Sequence, residues 1–439
     1  MVREPGYGRQ LEGAFRSRLL RQNVVLFLGG LVAGIGGFMY HAVAGRVLGP
    51  AAYGQLASLI AIYAAGSAPS VVLSVVLARH TARLVATGEG AAIRALVSRM
   101  VGLVAIPSVV AVLVAVAIQH PIAAFDHLAS TFPVVVVGFL LAAAWQVAIP
   151  RGVLQGLQQF TSLSLNLSLE LVARTVLVFG LLIAGYAVAG ALAAVLAGLV
   201  LAFTLGLLSL RGHFAIGGMR PHLAKMGAFS LTAAAGIVGI QILYSQDVIF
   251  AEHYLTSHYG GIYGGLNKIA SIVYFLTLSV SQVLFPRIVE ATAKRQHPGR
   301  ILLASATLLA LLGGCAVVVF GVIPQVVVGV LFGPGFKDAI PYVLAAGLIG
   351  LALALDNLLV QFLMGVHDRL FIAVLGCGCI VEAGLMAGFH AGVGQIIVDV
   401  LIATTALLAA LSLRCLLLLL STSPRGDLES AVQAPTPVQ

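Results

Sequence analysis

Charged residues are scarce in this chain. They make up 9% of its 439 residues, whereas 60% are hydrophobic and the mean hydropathy is +1.07. A soluble protein of this length would carry roughly 25% charged residues. Uninterrupted apolar runs of about 20 residues, long enough to cross a bilayer, recur from end to end. The composition predicts a polytopic all-α membrane protein and excludes a β-barrel, whose strands give short alternating segments.

Catalytic and metal-binding motifs are absent as well. The chain has no G-x-x-x-x-G-K-[ST], no H-E-x-x-H and no G-x-S-x-G, which argues against an ATPase, a zinc protease and a serine hydrolase. The outer loops are too short for a sugar polymerase or ligase. The four cysteines lie in apolar runs, and His253 and His258 lack further ligands at fitting spacing. We expect no enzyme activity, no cofactor and no metal site.

The apolar runs predict twelve membrane spans. They cover roughly residues 23–46, 54–78, 100–118, 132–150, 161–184, 187–210, 226–250, 260–284, 301–323, 339–364, 370–390 and 395–420. Basic residues concentrate before the first span and after spans two, six and eight, for example Arg3, Arg9, Arg79, Arg83, Arg211, Lys225, Arg287 and Lys294. By the positive-inside rule, both termini are then cytoplasmic. The net charge of +9 is therefore a topology signal, not a sign of nucleic-acid binding.

Three short stretches recur in the same order about 210 residues apart, which indicates an internal duplication. YGQLASLIAIY matches YGGLNKIASIVYF, LARH matches FPRI, and LQGLQQF matches LMGVHDRLF. Each copy holds six spans, an even number, so the copies are parallel repeats. The predicted domains are a basic cytoplasmic N-terminal segment (1–22), an N-lobe (23–210), a cytoplasmic linker (211–225), a C-lobe (226–420) and a disordered cytoplasmic tail (421–439).

Three stretches carry a family resemblance. AGRVLGPAAYGQLASL after the first span, GVLQGLQQFTSLS after the fourth and LFGPGFKDAIPYVLAAGL before the tenth resemble polysaccharide flippases of the MATE-like exporter superfamily. The resemblance implies a multi-pass carrier of the bacterial inner membrane that moves a polyprenyl-pyrophosphate-linked sugar from the cytoplasmic to the outer leaflet. Glycosyltransferases or a polymerase would be its protein partners.

A polar stripe interrupts the fifth span. Asn166, Glu170 and Arg174 recur at intervals of four and so share one helix face. Burying an ionisable residue in lipid costs roughly 2.5–3.5 kcal/mol by insertion scales, which favours a functional role. We expect the stripe to line a central cavity, where Arg174 would bind a pyrophosphate bidentately. The alternative is a self-neutralising Glu170–Arg174 pair that holds the fifth span within its own lobe.

Further polar residues complete the predicted substrate site. Lys268 beside Asn267 in span eight either faces the cavity or extends to the outer surface. Arg46 at the end of span one either faces the cavity or caps a loop. The residues assigned to sugar binding are Gln241, Tyr244, Asn267, Asn357 and Gln361. Asp247 in span seven and Asp356 in span ten are the candidates for binding a coupling proton or sodium ion.

Two other functions remain open from the sequence. A multidrug or cation antiporter of the same superfamily would need an anionic or aromatic cavity, and the central Arg174 favours an anionic substrate instead. A non-transporting scaffold of a polysaccharide synthesis complex would leave the buried charges without a purpose.

Overall fold

The computed structural model describes residues 6–213, 230–293 and 299–421. Within these ranges the regular structure is entirely helical, which confirms the predicted all-α class. The predicted linker 211–225 and tail 421–439 lie almost wholly outside the described residues, as do the first five residues of the segment 1–22. The predicted domain bounds stay predictions.

Thirteen α-helices occupy the described residues. They are α1 (Gly6–Ala86), α2 (Ile93–Ala117), α3 (Gln119–Phe125), α4 (Phe132–Gly156), α5 (Phe160–Ile183), α6 (Ala187–Ser209), α7 (Ser230–Tyr254), α8 (Ser257–Ala293), α9 (Gly299–Val322), α10 (Pro324–Leu331), α11 (Val343–Gly365), α12 (Leu370–Gly388) and α13 (Val393–Ser421). A 3₁₀ segment, Pro334–Tyr342, leads into α11.

Eleven of these helices account for the twelve spans. In the described part of the chain, ten helices are long and apolar enough to cross a membrane. The 37-residue helix α8 adds another span, and α1 contributes two because its 81 residues far exceed the length of one crossing. The helices α3 and α10 have seven and eight residues and are too short to cross. The sequence did not predict either of them.

The boundary between the first two spans differs from the prediction. Instead of a loop over 47–53, the chain stays helical and is interrupted only at Gly49, which has φ 70° and ψ 173°. Glycine adopts positive φ without steric cost, and Pro50 is pre-organised for the first turn of the helix that follows. We call the end of the helix bundle that holds Gly49, α3, α10 and the α7–α8 junction the Gly49 end.

The packing of the helices repeats between the two halves. In the N-lobe, α4 packs against α1, α2 and α6, and in the C-lobe α11 packs against α8, α9 and α13. Likewise, α5 packs against α6 and α1, and α12 packs against α13 and α7. The short helices α3 and α10 occupy equivalent places in the chain order. This repeated packing supports the predicted duplication into two six-span lobes.

The two lobes contact each other at the Gly49 end, where α1 packs against α7 and α8. The contact is close because it is built on glycine: a Cβ on Gly261 would overlap the carbonyl of Pro50, and one on Gly264 would lie 2.9 Å from the Ala57 Cβ. The ring of Tyr53 extends the contact to Phe332. The Gly49 end is therefore closed.

Substituting Gly261 by alanine should hold the Gly49 end open, because the added methyl group requires α1 and α8 to separate. The measurement is labelling of a cysteine at Ala57, which is 0% exposed, by a membrane-impermeant maleimide in a chain without its native cysteines. We expect little labelling of Ala57→Cys alone and strong labelling in combination with Gly261→Ala. Gly314→Ala is the matched control, since a Cβ there meets nothing within 4 Å. Equal labelling of both combinations would contradict the prediction.

Candidate functional site

The polar stripe of α5 forms the centre of a cluster in the N-lobe. Asn166 and Glu170 are buried, with 2% and 6% exposure, as the four-residue spacing predicts for one helix face. The Asn166 amide donates to the carbonyl of Ala202 on α6 at 2.6 Å. Gly198 of α6 lets this helix approach the stripe, since a Cβ there would lie 3.1 Å from the Glu170 carbonyl.

The shortest ion pair of the cluster joins Glu170 to Arg151 on α4. Arg151 Nη2 lies 2.5 Å from Glu170 Oε2, and Arg151 Nε donates to Asn166 Oδ1 at 2.9 Å. The predicted partner, Arg174, is farther away, with Nη1 at 4.0 Å from Glu170 Oε1. The alternative of a self-neutralising Glu170–Arg174 pair is therefore corrected: the close partner of Glu170 is Arg151.

Sequence reasoning missed Arg151 because it placed the end of the fourth span at residue 150. The helix instead continues through Pro150 and Arg151 to Gly156. Proline is usually taken as a helix boundary, but within a membrane bundle neighbouring groups can satisfy the freed backbone. The buried residues of α4 include Val147, Pro150 and Leu154. Their spacing of three and then four residues is the sequence signal that the helix continues through Pro150.

Arg174 keeps most of its binding capacity. Its guanidinium lies over the ring of Tyr40 on α1, with Cζ 5.2 Å from the ring centroid, a cation–π arrangement. Its Nε has no hydrogen-bond partner among the described residues, and its side chain is 19% exposed. The charge of the Arg174 guanidinium is therefore not neutralised by a closely bound carboxylate.

A second polar cluster lies between α7 and α8 in the C-lobe. Asp247 accepts hydrogen bonds from the hydroxyl of Tyr263 at 2.8 Å and from the amide of Asn267 at 2.9 Å. The backbone N–H of Val248 donates to its other oxygen at 2.8 Å. With 3% exposure, this carboxyl is buried but well supplied with donors. The amide of Asn267, which was assigned to substrate binding from the sequence, is instead hydrogen-bonded to Asp247.

Lys268 lies beside this cluster and not at the outer surface. Its Nζ is 5.6 Å from the ring centroid of Tyr244 on α7, and the Tyr244 hydroxyl is hydrogen-bonded to the Ser271 hydroxyl. Lys268 interacts electrostatically with Asp247 and with Arg174 of the other lobe. The interpretation in which Lys268 extends to the outer surface is therefore wrong, and its charge interacts with that of Arg174 in the other lobe.

His41 of α1 lies between the two clusters. It interacts electrostatically with both Lys268 and Arg174, and its Nδ1 is 3.1 Å from the Tyr53 hydroxyl. The first span thus brings aromatic and imidazole groups to the place where the two lobes face each other. The position of His41 was not predicted from the sequence, because a lone histidine in an apolar run has no periodic partner.

The remaining candidate residues are placed as follows. Asp356 on α11 is 0% exposed and neither carboxyl oxygen has a hydrogen-bond partner among the described residues. It interacts electrostatically with Glu382 on α12, whose carboxyl accepts a hydrogen bond from Gln246 of α7 at 3.0 Å. Asn357 is buried and its amide nitrogen has no partner within the described part of the chain. Gln361 is half-buried.

Gln241 and Arg46 lie apart from the ion pairs. The Gln241 amide donates to Ser245 on its own helix at 3.2 Å. Arg46 is at the Gly49 end, where its guanidinium donates to the carbonyls of Gly329, at 3.2 Å, and Val330. These carbonyls belong to the last turn of α10, so Arg46 caps that helix. Its assignment to the central site is corrected: it joins α1 to α10.

The chain matches known proteins in family and in fold. A family model described as polysaccharide biosynthesis protein matches residues 19–292, more than half of the chain. No curated protein matches the sequence. The inward-facing conformation of a multidrug resistance MATE family transporter of the MOP superfamily is similar, with a TM-score of 0.76, 13% identity, and coverage of 92% of this chain and 99% of the other.

Two further solved structures show the same fold. The outward-facing conformation of a multidrug resistance MATE family transporter has a TM-score of 0.64, with 14% identity and coverage of 91% and 96% of the two chains. A MOP superfamily transporter from Pyrococcus furiosus, described as having a binding pocket of reverse polarity, has a TM-score of 0.64, 16% identity and the same coverage. This chain therefore belongs to the polysaccharide biosynthesis protein family and is a multi-pass membrane protein with the two-lobed, twelve-helix fold of the MATE transporters.

Proposed function

We propose that the protein is an alternating-access transporter that moves a polyprenyl-pyrophosphate-linked oligosaccharide across the inner membrane for cell-surface polysaccharide assembly. The observation that carries this proposal is the pair of cations, Arg174 and Lys268, which lie in opposite lobes within the membrane-spanning helices and interact electrostatically. An anion cannot remain in hydrocarbon, so a carrier must replace its hydration with fixed donors and positive charge.

The charge balance of the site favours an anionic substrate over a cationic one. Arg151 neutralises Glu170 at 2.5 Å, which leaves the guanidinium of Arg174 for a ligand. Asp247, which interacts electrostatically with Lys268, is buried and accepts hydrogen bonds from Tyr263 and Asn267. Arginine keeps its charge when buried and offers a fork of donors that matches phosphate oxygens.

Aromatic side chains beside the cations suit the sugar part of the substrate. The rings of Tyr244 and Tyr274 are stacked with centroids 5.4 Å apart, and Phe275 is 5.3 Å from Tyr274. Phe275 is 49% exposed. Apolar faces of sugar rings pack on such surfaces while polar groups such as Gln241 bind hydroxyls. The pyrophosphate and the sugar would then bind to neighbouring groups across the two lobes.

A binding experiment distinguishes the proposed function from that of a multidrug antiporter, the alternative suggested by the multidrug resistance transporters among the structural neighbours. The protein in lipid nanodiscs is titrated with geranylgeranyl pyrophosphate, a soluble prenyl pyrophosphate, and with tetraphenylphosphonium, a lipophilic cation. We expect saturable binding of the pyrophosphate that Arg174→Ala weakens, and no comparable effect of that variant on the cation. Selective binding of the cation would support the antiporter instead.

Coupling to an ion gradient is the second part of the proposal, with Asp247 and Asp356 as the candidate ion-binding residues. Both are buried carboxyls on helices that pack together, α7 and α11. Asp356 has no hydrogen-bond partner among the described residues, and Asp247 lies among donors. A bound proton or sodium ion would offset the cost of burying such a group.

Replacing Asp356 by asparagine should make transport independent of the ion gradient, since the site would then stay neutral in every state. The measurement is the transport rate in vesicles with and without an imposed proton or sodium gradient. We expect the gradient to accelerate the unmodified protein and to have no effect on the Asp356→Asn or Asp247→Asn variants. Asp399→Asn is the control, because Asp399 is bound by Gln395 of its own helix. Undiminished transport by the unmodified protein in de-energised vesicles would refute coupling.

A further inference from the structure

A buried carboxyl without partners lies where the lobes meet. Glu252 is in the last turn of α7, is 0% exposed, and neither of its oxygens has a hydrogen-bond partner in the part of the chain that the structure describes. Two glycines from the packed helices cover it, because a Cβ on Gly54 of α1 or on Gly260 of α8 would overlap its Oε2. The carboxyl is therefore enclosed by the closed Gly49 end.

Asp126 is a second buried carboxyl at the same interface. It follows α3, is 0% exposed, and both of its oxygens accept from the Ser58 hydroxyl of α1 at 3.0 Å. Asp126 and Glu252 interact electrostatically, so each disfavours the charge on the other. Burial raises the pKa of Asp126 from 3.8 to about 7, although the hydrogen bond from Ser58 opposes this change.

No cation compensates for these carboxyls at the interface within the described residues. The loop after α3 contributes Asp126 and His127. The ring of His127 lies 6.1 Å from that of His253 on α7. His253 stacks on Phe125 and is 2.9 Å from its carbonyl oxygen. Among the other charged groups of the Gly49 end, His258 of α8 pairs with Asp338, Arg46 of α1 binds the carbonyls of α10, and Lys337 is exposed.

An ionised carboxyl in this position would be costly, since burying an unpaired charge is far more unfavourable than burying the neutral acid. Closing the lobes also places the two acids beside each other, and like charges disfavour ionisation. When the lobes separate, water reaches both groups and their ordinary ionisation returns. We propose that Glu252 and Asp126 form a proton-binding site that exists only while the Gly49 end is closed, so that proton binding and closure are coupled. This site is separate from Asp247 and Asp356, and the proposal does not depend on the transported substrate.

The direction of the pH dependence follows from the raised pKa of Asp126 in the closed state. Below a pH of about 4, both states hold the proton and pH does not affect closure. Between about 4 and about 7, the closed state holds the proton and the open state has released it, so raising the pH favours opening. Within this window one carboxyl changes the closed-to-open ratio up to about tenfold per pH unit.

The test measures the distance across the Gly49 end by electron spin resonance in lipid nanodiscs. Spin labels are placed at Ala51 of α1 and Thr256 of the α7–α8 junction, both exposed, in a chain whose four cysteines are replaced by alanine. In the otherwise unmodified chain, we expect the short-distance population to grow as the pH falls from 8 to 5. Glu252→Gln should increase that population at pH 8, and Glu252→Gln with Asp126→Asn should remove the pH dependence.

Two control variants test whether the pH dependence arises from Glu252 and Asp126. Asp399→Asn, another buried carboxyl, should leave the pH dependence unchanged. Ser58→Ala removes the hydrogen bond that stabilises the ionised Asp126, so its transition should move to higher pH. This shift remains measurable if a Glu252 variant does not fold. The proposal is overturned if the labelled parent shows no pH dependence, if the double variant retains it, or if Ser58→Ala leaves the transition where it was.

Discussion

Transport should fall by about 10- to 100-fold when Arg174 is replaced by alanine, while the protein still inserts and folds. The expected loss corresponds to one hydrogen bond to a charged group, worth roughly 1.5–3 kcal/mol. Folding should survive because Arg151, and not Arg174, is the close partner of Glu170. Arg174 also lies only over the face of Tyr40, so its removal leaves no buried carboxylate unpaired.

The conservative substitution Arg174→Lys separates the effect of the positive charge from that of the planar guanidinium group. Arg174→Lys keeps a cation but loses the planar fork, so we expect transport between that of the parent and that of Arg174→Ala. Arg414→Ala is the matched control, because Arg414 binds Asp368 at 2.8 Å near the ends of α12 and α13, away from the site. The measurement is the initial rate in proteoliposomes at equal protein content. Full activity of Arg174→Ala would mean that this residue is structural.

The largest loss of stability is expected for Arg151→Ala. This change leaves Glu170, which is 6% exposed, without its 2.5 Å partner and removes a donor from Asn166. Breaking a buried ion pair by removing one member costs roughly 3–5 kcal/mol. We expect about 3 kcal/mol here, the low end of that range, because Arg174 lies within 4.0 Å of Glu170 and can partly replace Arg151.

The double variant identifies the origin of that loss. If the destabilisation comes from the unpaired carboxylate, then Glu170→Gln combined with Arg151→Ala should recover most of it. The measurement is the midpoint of thermal unfolding in detergent for both single variants and the double variant. If the double variant is no more stable than Arg151→Ala, the loss arises from packing of the arginine side chain, and the charge balance proposed for the site is wrong.

Local periodicity explains what could be predicted from the sequence. The four-residue spacing of Asn166, Glu170 and Arg174 placed them on one helix face, and the structure has them there. Asp247 and Asn267 were selected as intramembrane polar residues, and they meet because α7 and α8 pack together. Selecting these residues required only local spacing and hydropathy, whereas the contact between Asp247 and Asn267 depends on the packing of α7 and α8.

Contacts between distant segments could not be predicted in this way. Arg151 pairs with Glu170 because α4 extends through Pro150, and Arg46 caps α10 although 284 positions separate it from Val330. Glu252 lies against α1 only because glycines allow the lobes to approach. Each of these features depends on the packing of one helix against another, and the spacing of residues within a single helix gives no signal for such a contact.

The most direct test of the proposed transport is a flipping assay in proteoliposomes. A fluorescent sugar linked to a prenyl pyrophosphate is placed in both leaflets, and a membrane-impermeant reductant then quenches the exposed label. With the intact protein, we predict that quenching proceeds beyond the outer-leaflet fraction, and that Arg174→Ala slows this second phase by about 10- to 100-fold while Arg414→Ala leaves it unchanged. Quenching that stops at the outer-leaflet fraction with the folded, intact protein would contradict transport of a prenyl-pyrophosphate-linked sugar.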